Sequence, residues 1–311
     1  MRGLPRFVCL TALAALGGCD LEEITIVEIE DVVIAEVYVN LLENPAKNEI
    51  LAFLHKTVGS PDSGIDKLPN ARIVVSRSDG LALILAATAN EACIELSEAE
   101  EPGACFLADS VQTANLQPGD LLDIVITFAG GGVLTGAARI PSHFQLQGIP
   151  PACRLDPETL LPVHWSSSEG AWAYVNEASI QGLPDALIGE GIEVSDDPLN
   201  LLGLSISDDD TTIVFPSEFG LFDRFDLDQD LSVRLQSGLP NSTIADVSIT
   251  AVEGNYVNWA RGGNFNPSGQ VRVPSLRGDG TGVFGATVSR SFVVVSSSGA
   301  SGLPDCPLTD L

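Results

Sequence analysis

Apolar and polar positions alternate along most of this chain in short bursts. In "LLPVHW", Leu161, Val163 and Trp165 alternate with Pro162, His164 and Ser166, which buries one face and wets the other. "VVIAEVYV" (Val32 to Val39), "EILAFLHKT", "ARIVVSR", "LALILAAT" and "LDIVITF" are also short and rich in β-branched residues. Turn signals such as "GSPDSG", "SDG" and "QPGD" separate them. "LLDIVITF" and "VLTGAARI" flank "AGGG" and predict a hairpin, after which "IPSHFQLQGIPPAC" reads as a linker. "DTTIVF", "DLSVRL", "DVSITAV" and "SRSFVVV" predict later strands, and "GNYVNWARGG" predicts a short helix. The pattern predicts an all-β protein with two sandwich-like domains, 31–147 and 148–311.

One apolar run is different. "FVCLTALAAL" (Phe7 to Leu16) is an uninterrupted apolar core behind Arg2 and Arg6, the layout of a signal peptide over residues 1–18. It is too short for a transmembrane helix, which needs about 20 apolar residues, and every later apolar run is broken by Gly, Pro or charge. The bulk of the chain is therefore expected to be exported. "LGGC", Leu16 to Cys19, resembles a bacterial lipobox. That resemblance implies cleavage before Cys19, diacylglyceryl on its thiol and acylation of the new amino terminus. Each buried methylene contributes about 0.8 kcal/mol and stable anchoring takes more than one chain, so a lipidated Cys19 would hold the protein to a membrane. From Asp20 to Glu36 there are seven acids and no base, and residues 19–30 read as the lipidated Cys and a solvated acidic tether.

Loss of residues 1–18 removes Arg2, Arg6 and no acid, which moves the net charge from −27 to −29. Such acidity excludes nucleic acid as a partner, because its binding rests on Lys and Arg neutralising phosphates. Cys93, Cys105, Cys153 and Cys306 remain in the exported part, where disulfides are the default and three pairings are possible. Zinc fits poorly, since no two of them have the short spacing of a structural site. The expected pairing is Cys93 with Cys105 as a local staple and Cys153 with Cys306 between the start of the second domain and the chain's end.

Candidate chemistry is sparse. Asp226, Asp228 and Asp230 in "FDRFDLDQDLSVRL" match the opening of a calcium loop, but an EF-hand would need glycine at Leu231 and glutamate at Ser237. The simpler reading puts Phe225, Leu227, Leu231, Val233 and Leu235 on one face of a strand and the aspartates in water. "RGD", Arg277 to Asp279, reads as a tight turn. His55, His143 and His164 are scattered, and neither an H-E-x-x-H zinc motif nor a G-x-S-x-G elbow is present. No catalytic residue and no cofactor follow from the sequence.

Two resemblances extend this reading. The Trp165 segment resembles the opening strands of a fibronectin type III or immunoglobulin-like sandwich, in which the Trp packs near a Tyr, here Tyr174. "RGGNFNPSGQVRVPSLRGDGTGVFGATVSR" resembles the closing segment of a bacterial lipoprotein family, domain of unknown function 4249. Its glycine-spaced element falls on Gly280, Gly282, Phe284 and Gly285. The lipobox cysteine followed by acids, the "PGD" hairpin and the linker proline agree with it. The resemblance implies an outer-membrane, surface-exposed lipoprotein associated with a TonB-dependent receptor, with no established reaction. The expected function is a binding or accessory module. A hydrolase on a polymeric substrate and a calcium-dependent adhesion module centred on Asp226, Asp228 and Asp230 are the alternatives.

Overall fold

The computed structural model describes residues 32–57, 65–93, 103–220, 229–261, 273–299 and 302–308. The signal-like segment, Cys19 and the acidic tether lie outside the described residues, as do Asp226 and Asp228. The first seven strands are β1 (Val33–Leu41), β2 (Glu49–Lys56), β3 (Arg72–Arg77), β4 (Ala82–Thr88), β5 (Gly103–Leu107), β6 (Leu121–Thr127) and β7 (Val133–Arg139). The rest are β8 (Ala152–Leu155), β9 (Leu161–His164), β10 (Ala171–Gln181), β11 (Leu199–Ser205), β12 (Thr212–Phe215), β13 (Thr243–Glu253), β14 (Leu276–Gly278) and β15 (Gly280–Ser296). Among the described residues the short α-helices are α1 (Ser110–Thr113), α2 (Leu183–Leu187), α3 (Gln229–Leu235) and α4 (Gly254–Arg261).

The protein is mostly β. Strands β1, β2, β5, β4, β3, β6, β7, β14 and β15 follow one another by hydrogen bonding, and β15 pairs back onto β1 to close a barrel-like ring. Period-two patterning explains the closure. On β1, Ala35, Val37, Val39 and Leu41 are buried while Glu36, Tyr38 and Asn40 lie on the other side. Ile73 and Val75, Leu83 and Leu85, and Leu122, Ile124 and Ile126 bury in the same rhythm, so side chains fill the interior.

β15 is shared between this ring and a second layer. Its first part pairs in parallel with β1, from Thr281 opposite Ile34 to Val288 opposite Leu41. Its later part pairs with β13, which pairs with β10, which pairs with β11. The inner face of that second layer carries Tyr174, Ala178, Ile180, Val247 and Ile249. The separate β9–β12 ribbon covers it, and a Cβ at Gly203 of β11 would meet the Cδ1 of Ile213 at 2.5 Å. Trp165 and Tyr174 pack edge to face there at 5.3 Å, as the fibronectin-like reading expects.

This continuity departs from the expectation of two separate sandwiches divided at residues 147 and 148. Asp31–Leu311 form one compact unit, and the hydrogen-bonded sheet runs through both halves. The segment read as a linker is a packed strap, with Ile140 and Phe144 both fully buried. "DLSVRL" is also corrected. It forms α3, with Leu231 and Leu235 buried one helical turn apart and Val233 65% exposed, because a helix separates positions that a strand would align.

Candidate functional site

Both expected disulfides form, Cys93 with Cys105 and Cys153 with Cys306. The first staples the β4–β5 connection. The second fastens the segment around Pro304 and Cys306 to β8, where Arg154 N donates to Pro304 O and Cys306 N donates to Arg154 O at 2.8 Å each. Of the calcium candidates only Asp230 is described, and it lies in the first turn of α3, not on a strand. His55, His143 and His164 sit on β2, the strap and β9. Among the described residues no group of three or more His, Cys, Asp or Glu side chains is placed to hold a metal ion. Of the "RGD" segment, read as a tight turn, Arg277 and Gly278 instead end β14, and Asp279 alone makes the turn into β15. Asp279 N donates to Val133 O, and Val133 N donates back to the Asp279 carboxylate.

The structure brings together a different set of residues. Where β10, β13 and the later part of β15 pair, burial alternates along the strands, and the side chains turned away from the core line up on the opposite face: Glu177 and Ser179, Asp246, Ser248 and Thr250, Ser289 and Ser291. Register makes them neighbours. Glu177 lies opposite Ser248 and Ser248 opposite Ser291, while the hydroxyls of Thr250 and Ser289 are 2.8 Å apart. Depressions of about 540, 460 and 260 Å³ follow one another along this face, and Glu177 borders all three. Glu43, Glu49 and Asp246 add negative charge along them, and among the described residues that line them Lys47 is the base. Such a face offers acceptors to hydroxyl-bearing or cationic groups and repels anions. The outward hydroxyls of "ADVSITAV" and "SRSF" are visible in the sequence, but their adjacency depends on pairings between distant segments.

One end of this face is roofed by α4. Glu253, only 6% exposed, accepts from Asn255 N at 2.7 Å and Tyr256 N at 3.1 Å and so caps the helix. Burial pushes its carboxyl up to about 7, against the opposing effect of those backbone donors. Burial also raises the Tyr256 phenol, and the charges of Glu177 and Glu36 add to the effect. Tyr256 packs on Tyr38 with ring centroids 5.1 Å apart. Asn255 Nδ2 donates to both Ala137 O and Phe284 O, at 2.9 and 3.0 Å, and bridges β7 to β15 where short β14 gives out. Gly285 makes room for the helix, since a Cβ there would come within 3.1 Å of Tyr256 Cβ.

No protein-family model matches the chain, and no curated protein is significantly similar to it. Among solved structures it is similar to the fibronectin(III)-like modules of CbhA from Clostridium thermocellum, at 8% identity and a TM-score of 0.20. That match covers 85% of this chain and 94% of the other. The fold class described above rests on the strands themselves and not on this likeness.

Proposed function

We propose that the protein is a lipid-anchored binding module of the bacterial envelope, held by Cys19 to the outer membrane, exposed at the surface and working as an accessory to a TonB-dependent receptor. In this reading it belongs with the lipoproteins of domain of unknown function 4249. The observation that supports binding over catalysis is the open acidic face centred on Glu177. It is long, shallow and built of hydroxyls and carboxylates on rigid strands, which suits many weak contacts to a partner's cationic and hydroxyl groups. The "LGGC" segment supports the anchor, and the two disulfides agree with life outside the cytoplasm.

The experiment has two arms. A fatty-acid analogue should label the wild-type protein and not Cys19→Ala, and protease added to intact cells should remove the body. A mild-detergent pull-down should recover a TonB-dependent receptor, and Glu177→Lys should reduce that recovery at unchanged folding. Equal labelling of both proteins ends the lipoprotein reading. Undiminished recovery with Glu177→Lys removes the open face as the contact surface.

A further inference from the structure

β13 occupies one edge of β15 from Thr287 to Ser296, so β1 and β8, which overlap that range, both lie on the other edge. β1 pairs as far as Val288, and β8 begins at Val293. Between them lies a notch of about 270 Å³, lined by Arg290 and Ser291 of β15 and walled by Ile149, Pro150 and Pro151 of the strap. Val293 N and Ser297 N donate on this edge, to Pro151 O and Leu155 O. Alternation along the strand therefore turns the N–H and C=O of exposed Ser291 into the notch as well.

Arg290 occupies the floor. Its Nε donates to Phe144 O at 3.1 Å, its Nη1 to Ser289 O at 2.8 Å, and the guanidinium lies 5.6 Å from the Phe144 ring centroid. The fold treats its other drawn-in arginines differently. Arg77 pairs with Asp79 and Asp120, Arg154 with Asp156 and Asp305, and Arg234 with Glu158 and Glu190. Among the described residues Arg290 has no carboxylate in ion-pair contact, in a protein with 42 acids. Burial lowers its pKa from the ordinary value, with the charge of Glu43 acting the other way. The charged and titratable groups facing it across the notch are Glu43 and His143, both exposed.

We propose that this notch binds a carboxylate carried on an extended peptide segment, which pairs with the open backbone of Ser291 between β1 and β8 while its carboxylate takes the remaining N–H groups of Arg290. The gap fits such a segment, because four residues of strand span about 13 Å at roughly 3.3 Å each. A planar guanidinium with donors to spare matches a carboxylate in geometry and charge. The acids nearby, Glu43 and Glu177, restrict the occupant to a single carboxylate on an otherwise neutral or basic segment. This inference does not depend on lipid anchoring or on a receptor.

Nuclear magnetic resonance on the ¹⁵N-labelled full mature protein tests it, with the blocked tripeptide acetyl-valyl-aspartyl-valyl amide as probe. The Arg290 side-chain Nε–H and the Ser291 amide should shift together and saturably. The asparaginyl counterpart should bind at least about tenfold more weakly, as loss of one charge-assisted pair implies. Sodium acetate at the same concentration should leave the Ser291 amide unmoved. Arg290→Lys should weaken the aspartyl peptide by about tenfold, since an ammonium cannot reproduce the fork. Equal binding of the two peptides, or no saturable shift, overturns the proposal. Full reproduction of both shifts by acetate overturns the peptide part of it. The decisive signals come from the wild-type protein, so a variant that fails to fold does not obscure them.

Discussion

The indole N–H of Trp259 donates to the carboxylate of Glu36 at 3.0 Å, across 223 residues of chain. This bond fastens α4 to β1 over the outer side of the ring. Hydrogen bonds to charged groups contribute about 1.5–3 kcal/mol. Trp259→Phe, which keeps most of the ring, should lower stability by about 1–2 kcal/mol in urea unfolding with little change in slope. Trp172→Phe, at a side chain 52% exposed, should stay within about 0.5 kcal/mol of the wild type.

Glu253 predicts a pH dependence of unusual sign for a carboxylate. Its folded pKa, about 7, lies above its ordinary 4.5, so the folded state holds the proton more tightly than the unfolded one. The stability it contributes is therefore complete below the ordinary value and lost as pH rises from there through about 7. The loss has an upper bound of about 3 kcal/mol. Urea midpoints of wild type and Glu253→Gln, measured between pH 4 and 8, should converge or cross with rising pH. Parallel curves would show that Glu253 is not the group responsible.

Gly282 should be irreplaceable. Its φ is +148°, and a Cβ there would stand 1.9 Å from Ala35 O, inside the β1–β15 pairing. Gly282→Ala should cost more than about 3 kcal/mol or prevent folding. Gly189→Ala, with open space around its Cβ and no positive φ, should be close to neutral by thermal unfolding.

The two disulfides should differ in weight. The chain between Cys153 and Cys306 spans 153 residues, and that between Cys93 and Cys105 only 12. On the loop-entropy model these contribute about 5 and 3 kcal/mol. Replacing each pair with serines should therefore lower the urea midpoint more for Cys153 and Cys306. The opposite order would mean that the long loop is already restrained in the unfolded chain.

The sequence made individual strands plain and their partners obscure. β1, β2, β3, β4 and the β6–β7 hairpin each carry their own alternation and turns, so they fall where the pattern predicts. Ring closure has no such signature, because the pairing of Ile34 with Thr281 joins segments from the two ends of the chain. The glycines at 280, 282 and 285 also hide the start of β15, which looks like loop until the close approach of β1 and α4 is known. For α3, apolar residues at 231, 233 and 235 fit a strand face as well as a helix, and only the exposure of Val233 separates the two. The open face around Glu177 and the notch at Arg290 were illegible for the same reason. Each is assembled from neighbours on different strands, and single residues such as Ser248 or Arg290 say nothing of what stands beside them.

The position of β1 has a mechanical consequence. It lies between two partners, antiparallel β2 on one side and parallel β15 on the other, and it begins at Val33, within the acidic stretch that runs to Glu36. Tension applied along the axis of β1 is therefore opposed as shear by two ladders of hydrogen bonds at once, and does not peel them apart one by one. A pull entering at Val33 would therefore meet resistance on both sides of the first strand, and the barrel would stay closed under loads that unzip a strand held on one side only.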